Sequence, residues 1–170
     1  MKKILFSAPI PVEAVEEYKK DFELTVPEKK LTYEEVMKII ADYDAYMTLA
    51  AKGDKNLLDA AKNLKAIANF GVGYDNIDWK YATEKGIAVV NTPTQVTDAT
   101  AEHTVALIVD TMRGIARFDR EVRKGIWDAP LFPDRNLAIS GSVLGVVGFG
   151  RIGKLVTKKS SRLGNDSNLL

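Results

Sequence analysis

Val143-Leu144-Gly145-Val146-Val147-Gly148-Phe149-Gly150-Arg151-Ile152-Gly153-Lys154-Leu155-Val156 joins a buried-strand pattern to a helical one through glycines spaced G-x-G-x-x-G. Between a strand and a helix each glycine has a physical task. The first makes the tight turn, the second lets backbone approach a pyrophosphate, and the third lets the helix pack close on the strand. The helix start then offers free N–H groups and a positive dipole end to phosphate oxygens. A glycine-rich strand-to-helix turn that binds nothing is the competing reading.

A complete unit of this kind places an acidic residue about 20 residues further on, at the end of its second strand, to hold the ribose hydroxyls. Here Lys158-Lys159-Ser160-Ser161-Arg162-Leu163-Gly164 leads into Asn165-Asp166-Ser167-Asn168-Leu169-Leu170, which reads as neither strand nor long enough. Asp166 falls too early, in a polar, turn-like run, to serve as that acid. The choice between NAD and NADP stays open, because that position reads the ribose 2′ oxygen.

Upstream, short β-rich runs alternate with helical patterns, which favours right-handed crossovers and a mostly parallel sheet. Strands are expected at 3–7, 22–26, 45–49, 64–69 and 87–90. A helix is expected after Pro11, with Val12, Val15 and Tyr18 on one face. Thr32 and Glu35 have capping-box spacing at the head of a helix carrying Val36, Ile39 and Ile40. Lys52-Gly53-Asp54 reads as the turn before a helix with Leu57, Leu58 and Ala61, and a short helix from 78 closes at Lys85-Gly86. Five strands with interleaved helices predict α/β architecture with a flavodoxin-like layer.

After Asn91-Thr92-Pro93 the period changes, since Ala101, Val105, Ile108, Met112 and Ile115 form one apolar stripe. The spacing predicts a long helix over 99–123, capped by Thr97 or Asp98 and ended by Gly125. A loop over 127–136 and a strand over 142–147 follow. The domain boundary is placed near Thr97, giving domains 1–97 and 98–170. His103 falls off the apolar stripe and reads as a polar helix position or hinge contact. Arg113, Arg117, Arg120, Arg123 and Lys124 read as the solvated or partner-facing side of that helix. Trp127, with Pro130 and Pro133, is expected to pack the interdomain loop.

The 170 residues carry 24 Lys+Arg against 23 Asp+Glu, a balance that argues against a nucleic-acid binder. With no Cys and one His, disulfide scaffolds, thiolate nucleophiles and multi-His metal sites drop out. The apolar run near Met1 is too short for a signal peptide, and no run approaches the ~18 residues of a membrane span. A cytoplasmic protein with no membrane partner is expected.

Asn69-Phe70-Gly71-Val72-Gly73-Tyr74-Asp75-Asn76-Ile77-Asp78, Glu84-Lys85-Gly86-Ile87-Ala88-Val89, Asn91-Thr92-Pro93, Thr97-Asp98-Ala99-Thr100-Ala101-Glu102-His103-Thr104 and the glycine motif occur together and in order. In this the chain resembles the N-terminal half of the D-isomer-specific 2-hydroxyacid dehydrogenases. The 69–73 stretch looks more like their glyoxylate, hydroxypyruvate and phosphoglycerate branch than their D-lactate branch. The resemblance implies a flavodoxin-like substrate domain, then a long helix and the first βα unit of a Rossmann domain. Val72 and Gly73 would hold a substrate carboxylate through backbone N–H groups, an arrangement suited to an anion nest. A tight strand-to-loop turn is the plainer reading of the same glycines.

Thr104 would face the nicotinamide of NAD or NADP, while Gly148, Gly150, Arg151, Ile152 and Gly153 would line the pyrophosphate. The partners implied are a small 2-oxo or 2-hydroxy acid and a second copy of the chain, paired through the long helix. The family's catalytic Arg, Glu and His lie downstream of the first Rossmann unit, so no catalytic residue is assigned here. The expectation is an NAD(P)-dependent oxidoreductase of small 2-oxo acids, present as a truncated chain whose tail fits a frame-shift. The alternative is an inactive fragment that self-associates, partly through a strand at 143–147 lacking neighbours, or binds a small anion.

Overall fold

The computed structural model describes residues 1–127, 137–164 and 166–169. It divides into two units, Met1–Thr94 and Gln95–Leu170.

The first unit is built on β1 (Lys2–Phe6), β2 (Phe22–Thr25), β3 (Ala45–Thr48), β4 (Ala66–Asn69) and β5 (Ala88–Asn91), all parallel, in the order β2-β1-β3-β4-β5. The order in which strands are added reverses at β1, the switch typical of doubly wound sheets, and the carboxyl ends of all five strands share one edge. Three helices bridge the strands: α1 (Tyr33–Ile39), α2 (Lys55–Ala60) and α3 (Trp79–Glu84). Leu5, Tyr46 and Ile67 from the sheet meet Val36, Leu57, Leu58 and Ala82 from these helices in one buried core. Each Leu, Ile or Val side chain buried there contributes about 1.5–3 kcal/mol.

Local sequence fixes each helix start. The Thr32 hydroxyl accepts from the Glu35 N–H at 3.2 Å while Glu35 accepts from the Thr32 N–H at 2.8 Å, the reciprocal cap its spacing predicts. Asp54 caps α2 by accepting from the Leu57 N–H at 3.1 Å, and Asp78 caps α3 through the Tyr81 N–H.

The second unit holds α4 (Thr97–Arg113), α5 (Ile115–Arg123), β6 (Val143–Val146), α6 (Arg151–Ser160) and β7 (Asp166–Leu169). Packing of α4 on α6 buries Ala101, Val156 and Ser160. Lys159 on α6 reaches Glu102 at 2.8 Å and Asp98 at 3.3 Å on α4.

Five expectations are corrected. The segment after Pro11 forms two short 3₁₀ turns, Val12–Ala14 and Glu16–Tyr18, because Val15 adopts φ −127°, ψ 1° and ends the first. The long helix starts at Thr97 with no side-chain cap, so neither Thr97 nor Asp98 serves as one. It also breaks at Gly114, whose left-handed φ of 66° separates α4 from α5.

The tail, read as unable to form a strand, pairs as β7 in parallel with β6, Val143 opposite Asp166, so β6 has a neighbour. Trp127, expected to pack, is 82 % exposed. Pro130 and Pro133, most of the 127–136 loop, and residues 165 and 170 of the tail lie outside the described residues. Among the described residues no helix is long and apolar enough to cross a membrane.

Candidate functional site

The loop that follows β4 crosses the carboxyl edge of the sheet, and a network of asparagine carboxamides holds it there. Asn69, the last residue of β4 and 5 % exposed, accepts from the Ala50 N–H at 3.2 Å and donates to the Gly73 carbonyl. Asn91, the last residue of β5, donates to the Val72 carbonyl at 2.7 Å. Asn76 closes the loop by donating to the Ala51 carbonyl at 2.7 Å. Backbone bonds from Phe70 to Thr48 and from Thr92 to Gly71 complete the anchoring.

Val72, half-buried, and Gly73, exposed, stand at the middle of this loop. Neither N–H donates to a protein acceptor among the described residues. The chemistry on offer is two backbone donors at a strand-end edge, suited to an anion. No Arg or His occurs in residues 1–94, so this unit has neither a guanidinium nor an imidazole to add.

Beside the loop, Tyr33 donates to Asp54 at 2.6 Å and Lys52 pairs with Asp54 at 2.7 Å. Partial burial alone would raise the Asp54 carboxyl, but hydrogen bonds from Lys52, Tyr33 and the Leu57 N–H outweigh it and hold it at about 2. Burial, followed by the bond to Asp54, pushes the Tyr33 phenol up to about 12. Elsewhere in this unit an apolar groove of about 550 Å³ runs over the other sheet face, lined by Ile4, Leu24, Met47 and Tyr18, and Phe70 borders it.

In the second unit the turn between β6 and α6 depends on its glycines. Gly148 takes φ 87°, and a side chain at Gly153 would collide with the Gly148 carbonyl oxygen. Space around Gly150 is open, and no side chain caps the start of α6. The N–H groups of α6's first turn, which includes Arg151 and Ile152, are thus free of side-chain acceptors. These residues fit a pyrophosphate. Thr104 sits half-buried on α4 and donates its hydroxyl to the Thr100 carbonyl at 2.8 Å. His103 is exposed on the same helix. Among the described residues no group of His, Asp or Glu is arranged to hold a metal ion.

The family resemblance points to Val72 and Gly73 in the sequence and does not single out Asn69, Asn76 and Asn91. The available signal was an asparagine ending each of two adjacent strands, one of them just before a glycine-rich loop.

A doubly wound parallel sheet, followed by a helix and a strand–glycine–helix turn, defines the α/β class whose ligands gather at strand carboxyl ends. Residues 4–162 match the family described as D-isomer specific 2-hydroxyacid dehydrogenase, catalytic domain, and the chain belongs to that family. It is 36 % identical to a glyoxylate reductase of Thermococcus kodakarensis over 95 % of its own length and 51 % of that protein's. The chain therefore spans about half the length of such curated relatives.

Among solved structures it resembles the D-lactate dehydrogenase of Aquifex aeolicus complexed with NAD and lactic acid. That likeness has a TM-score of 0.85 and 26 % identity, and covers 99 % of this chain and 50 % of the other. It also resembles an NADPH-dependent glyoxylate/hydroxypyruvate reductase of Sinorhizobium meliloti in complex with NADP and malonate. There the TM-score is 0.76 and the identity 28 %, over 99 % of this chain and 52 % of the other.

Proposed function

We propose that the chain supplies the substrate-carboxylate loop and the first phosphate-binding turn of an NAD(P)-dependent 2-hydroxyacid dehydrogenase acting on small 2-oxo acids. The observation that carries this reading is the pair of N–H groups at Val72 and Gly73, held at the sheet's carboxyl edge without protein acceptors among the described residues. A carboxylate accepting from both would be fixed by charge-assisted bonds, stronger than neutral ones. Gly148, Gly150, Arg151, Ile152 and Gly153 would hold the dinucleotide pyrophosphate, and Thr104 would face the nicotinamide. When bound, that group supplies the hydride. Which of NAD and NADP is used follows from residues beyond these.

Reduction of a 2-oxo acid further needs a cation to polarise the carbonyl and a proton donor beside its oxygen. The substrate unit offers neither Arg nor His, so no catalytic role is assigned to it. Leu107, Ile115 and Val122, exposed along α4 and α5, support pairing with a second copy through these helices.

The test is loss of NADH and NADPH absorbance with glyoxylate, hydroxypyruvate and pyruvate, on protein whose intact mass matches 170 residues. Binding of nucleotide without turnover is expected. Turnover that follows the chain through purification would show that residues present here supply the cation and the acid. No response to either nucleotide would leave a module that binds small anions alone.

A further inference from the structure

We propose that Asn91 and Asn69 are positioning residues, which turn three successive peptide planes so that the N–H groups of Val72, Gly73 and Tyr74 form one anion nest. The proposal rests on the reading of this loop as the carboxylate site and adds to it a third donor and the groups that aim all three.

Planarity of the peptide carries the argument. In a trans peptide the carbonyl of one residue and the N–H of the next point in opposite directions, so whatever grips the carbonyl aims the following amide. Three consecutive carbonyls are gripped here. Gly71 accepts from the Thr92 N–H at 2.9 Å, Val72 from the Asn91 carboxamide at 2.7 Å, and Gly73 from the Asn69 carboxamide. All three donors belong to the carboxyl ends of β4 and β5 or the residue just beyond. The three carbonyls thus face the strand ends, and the N–H groups of Val72, Gly73 and Tyr74 face away from them. None of the three donates to a protein acceptor among the described residues. Successive amides presented on one side are the donor set that takes up anions.

The two carboxamides are themselves oriented by chemistry. Only an NH₂ group can donate to a carbonyl, so Asn91 must turn its nitrogen to Val72. The Asn69 oxygen accepts from the Ala50 N–H and from Asn76, at 3.4 Å, which leaves its nitrogen for Gly73. Loss of the Asn91 donor frees the 72–73 peptide to rotate and takes the Gly73 N–H out of line, while the sheet below is untouched.

The experiment is a pyruvate titration of the ¹⁵N-labelled chain followed by amide NMR, with acetone as the uncharged control. Pyruvate, but not acetone, is expected to move the Val72, Gly73 and Tyr74 signals most. Asn91→Leu, alike in branching and heavy-atom count but without a donor, and Asn91→Ala are expected to weaken pyruvate about tenfold, the worth of one charge-assisted hydrogen bond. Both should keep the native thermal midpoint, a result that separates aiming from mere support of the fold. Asn91→Gln, which restores a donor, should recover part of the loss. Unchanged pyruvate affinity in both Asn91→Leu and Asn91→Ala would overturn the positioning role while leaving the carboxylate reading in place. A Tyr74 signal that stays still while Val72 and Gly73 move would overturn the three-donor nest. Val72 and Gly73 signals that ignore pyruvate in the native chain would sink the carboxylate reading and this inference with it.

Discussion

The carbonyl oxygen of Gly148 occupies the space that a side chain at Gly153 would need. One atom added at Gly153 must push the start of α6 off the end of β6, so Gly153→Ala should cost about 1–3 kcal/mol, the usual range for overpacking. Gly150 has open space around it, and Gly150→Ala should fold normally yet crowd an approaching pyrophosphate. Thermal melts paired with NADH fluorescence separate the two: the first variant loses stability, the second only nucleotide. An unchanged midpoint for Gly153→Ala would contradict the close packing.

The Tyr33–Asp54 hydrogen bond makes stability depend on pH at both extremes. The folded Asp54 carboxyl sits at about 2 against an ordinary 3.8, so the unfolded chain takes up this proton first as pH falls. Its contribution is whole above roughly pH 4 and is lost on descent through 2. Tyr33, raised to about 12 from 10.0, contributes below pH 10 and loses its contribution as pH climbs through 12. Tyr33→Phe should let the Asp54 carboxyl rise, which moves the acid limb to higher pH, and should remove the alkaline loss that Tyr33 contributes, since Phe has no proton to give up. Unfolding midpoints between pH 2 and 12, with the Asp54 carboxyl followed by NMR, check this; an unmoved Asp54 in Tyr33→Phe would show that Lys52 and the Leu57 N–H suffice.

Two glycines near the candidate site should respond differently to the same change. A side chain on Gly53, which is buried, would stand 3.0 Å from Ile67 Cδ1 and 3.2 Å from Ile77 Cγ1, and the Gly53 backbone bonds to both Asn76 and Asp78. Gly53→Ala should destabilise by about 1–3 kcal/mol. At Gly73 the nearest atom is Asp75 Oδ2 at 3.7 Å, an ordinary contact, so Gly73→Ala should fall within about 0.5 kcal/mol of the parent. Urea denaturation of the pair measures both, and equal losses would refute the contrast.

Removal of one half of the α1 cap, by Thr32→Ala or Glu35→Ala, should cost about 1 kcal/mol. The double variant should cost less than the sum of the singles, because each group's bond depends on the other. Strict additivity in denaturant titrations would mean the two bonds act independently.

That cap shows what the sequence makes legible: Thr32 and Glu35 carry their bond in their spacing. The five parallel strands, α1, α2 and α3 were readable for the same reason, since periodicity and turn residues act over a few positions. The 3₁₀ turns after Pro11 escaped because the apolar spacing of Val12, Val15 and Tyr18 suits a helix, while Val15's backbone does not follow one. Gly114 was hidden inside an apolar stripe that runs on past it to Ile115. The pairing of β7 rests on the backbone of β6, which a polar run such as Asp166-Ser167-Asn168 does not advertise. For the candidate site, the glycines announced the loop. The asparagines that hold it act across strands, and Asn69 and Asn91 become partners only once β4 and β5 lie side by side.

The order of the sheet also bears on how the chain is made. Every rung of the first sheet joins residues far apart in sequence: Lys2 must find Phe22, Ala45 must find Ala66, and Ile4 must wait for Ala45. Each pairing closes a loop before any contact rewards it, which slows folding relative to a helical bundle of similar size. On the ribosome β1 emerges first and can close one edge with β2, but its other edge stays bare until β3 has been synthesised. An inner strand thus stands half-paired while the next is made, and for that interval chaperone capture competes with native pairing.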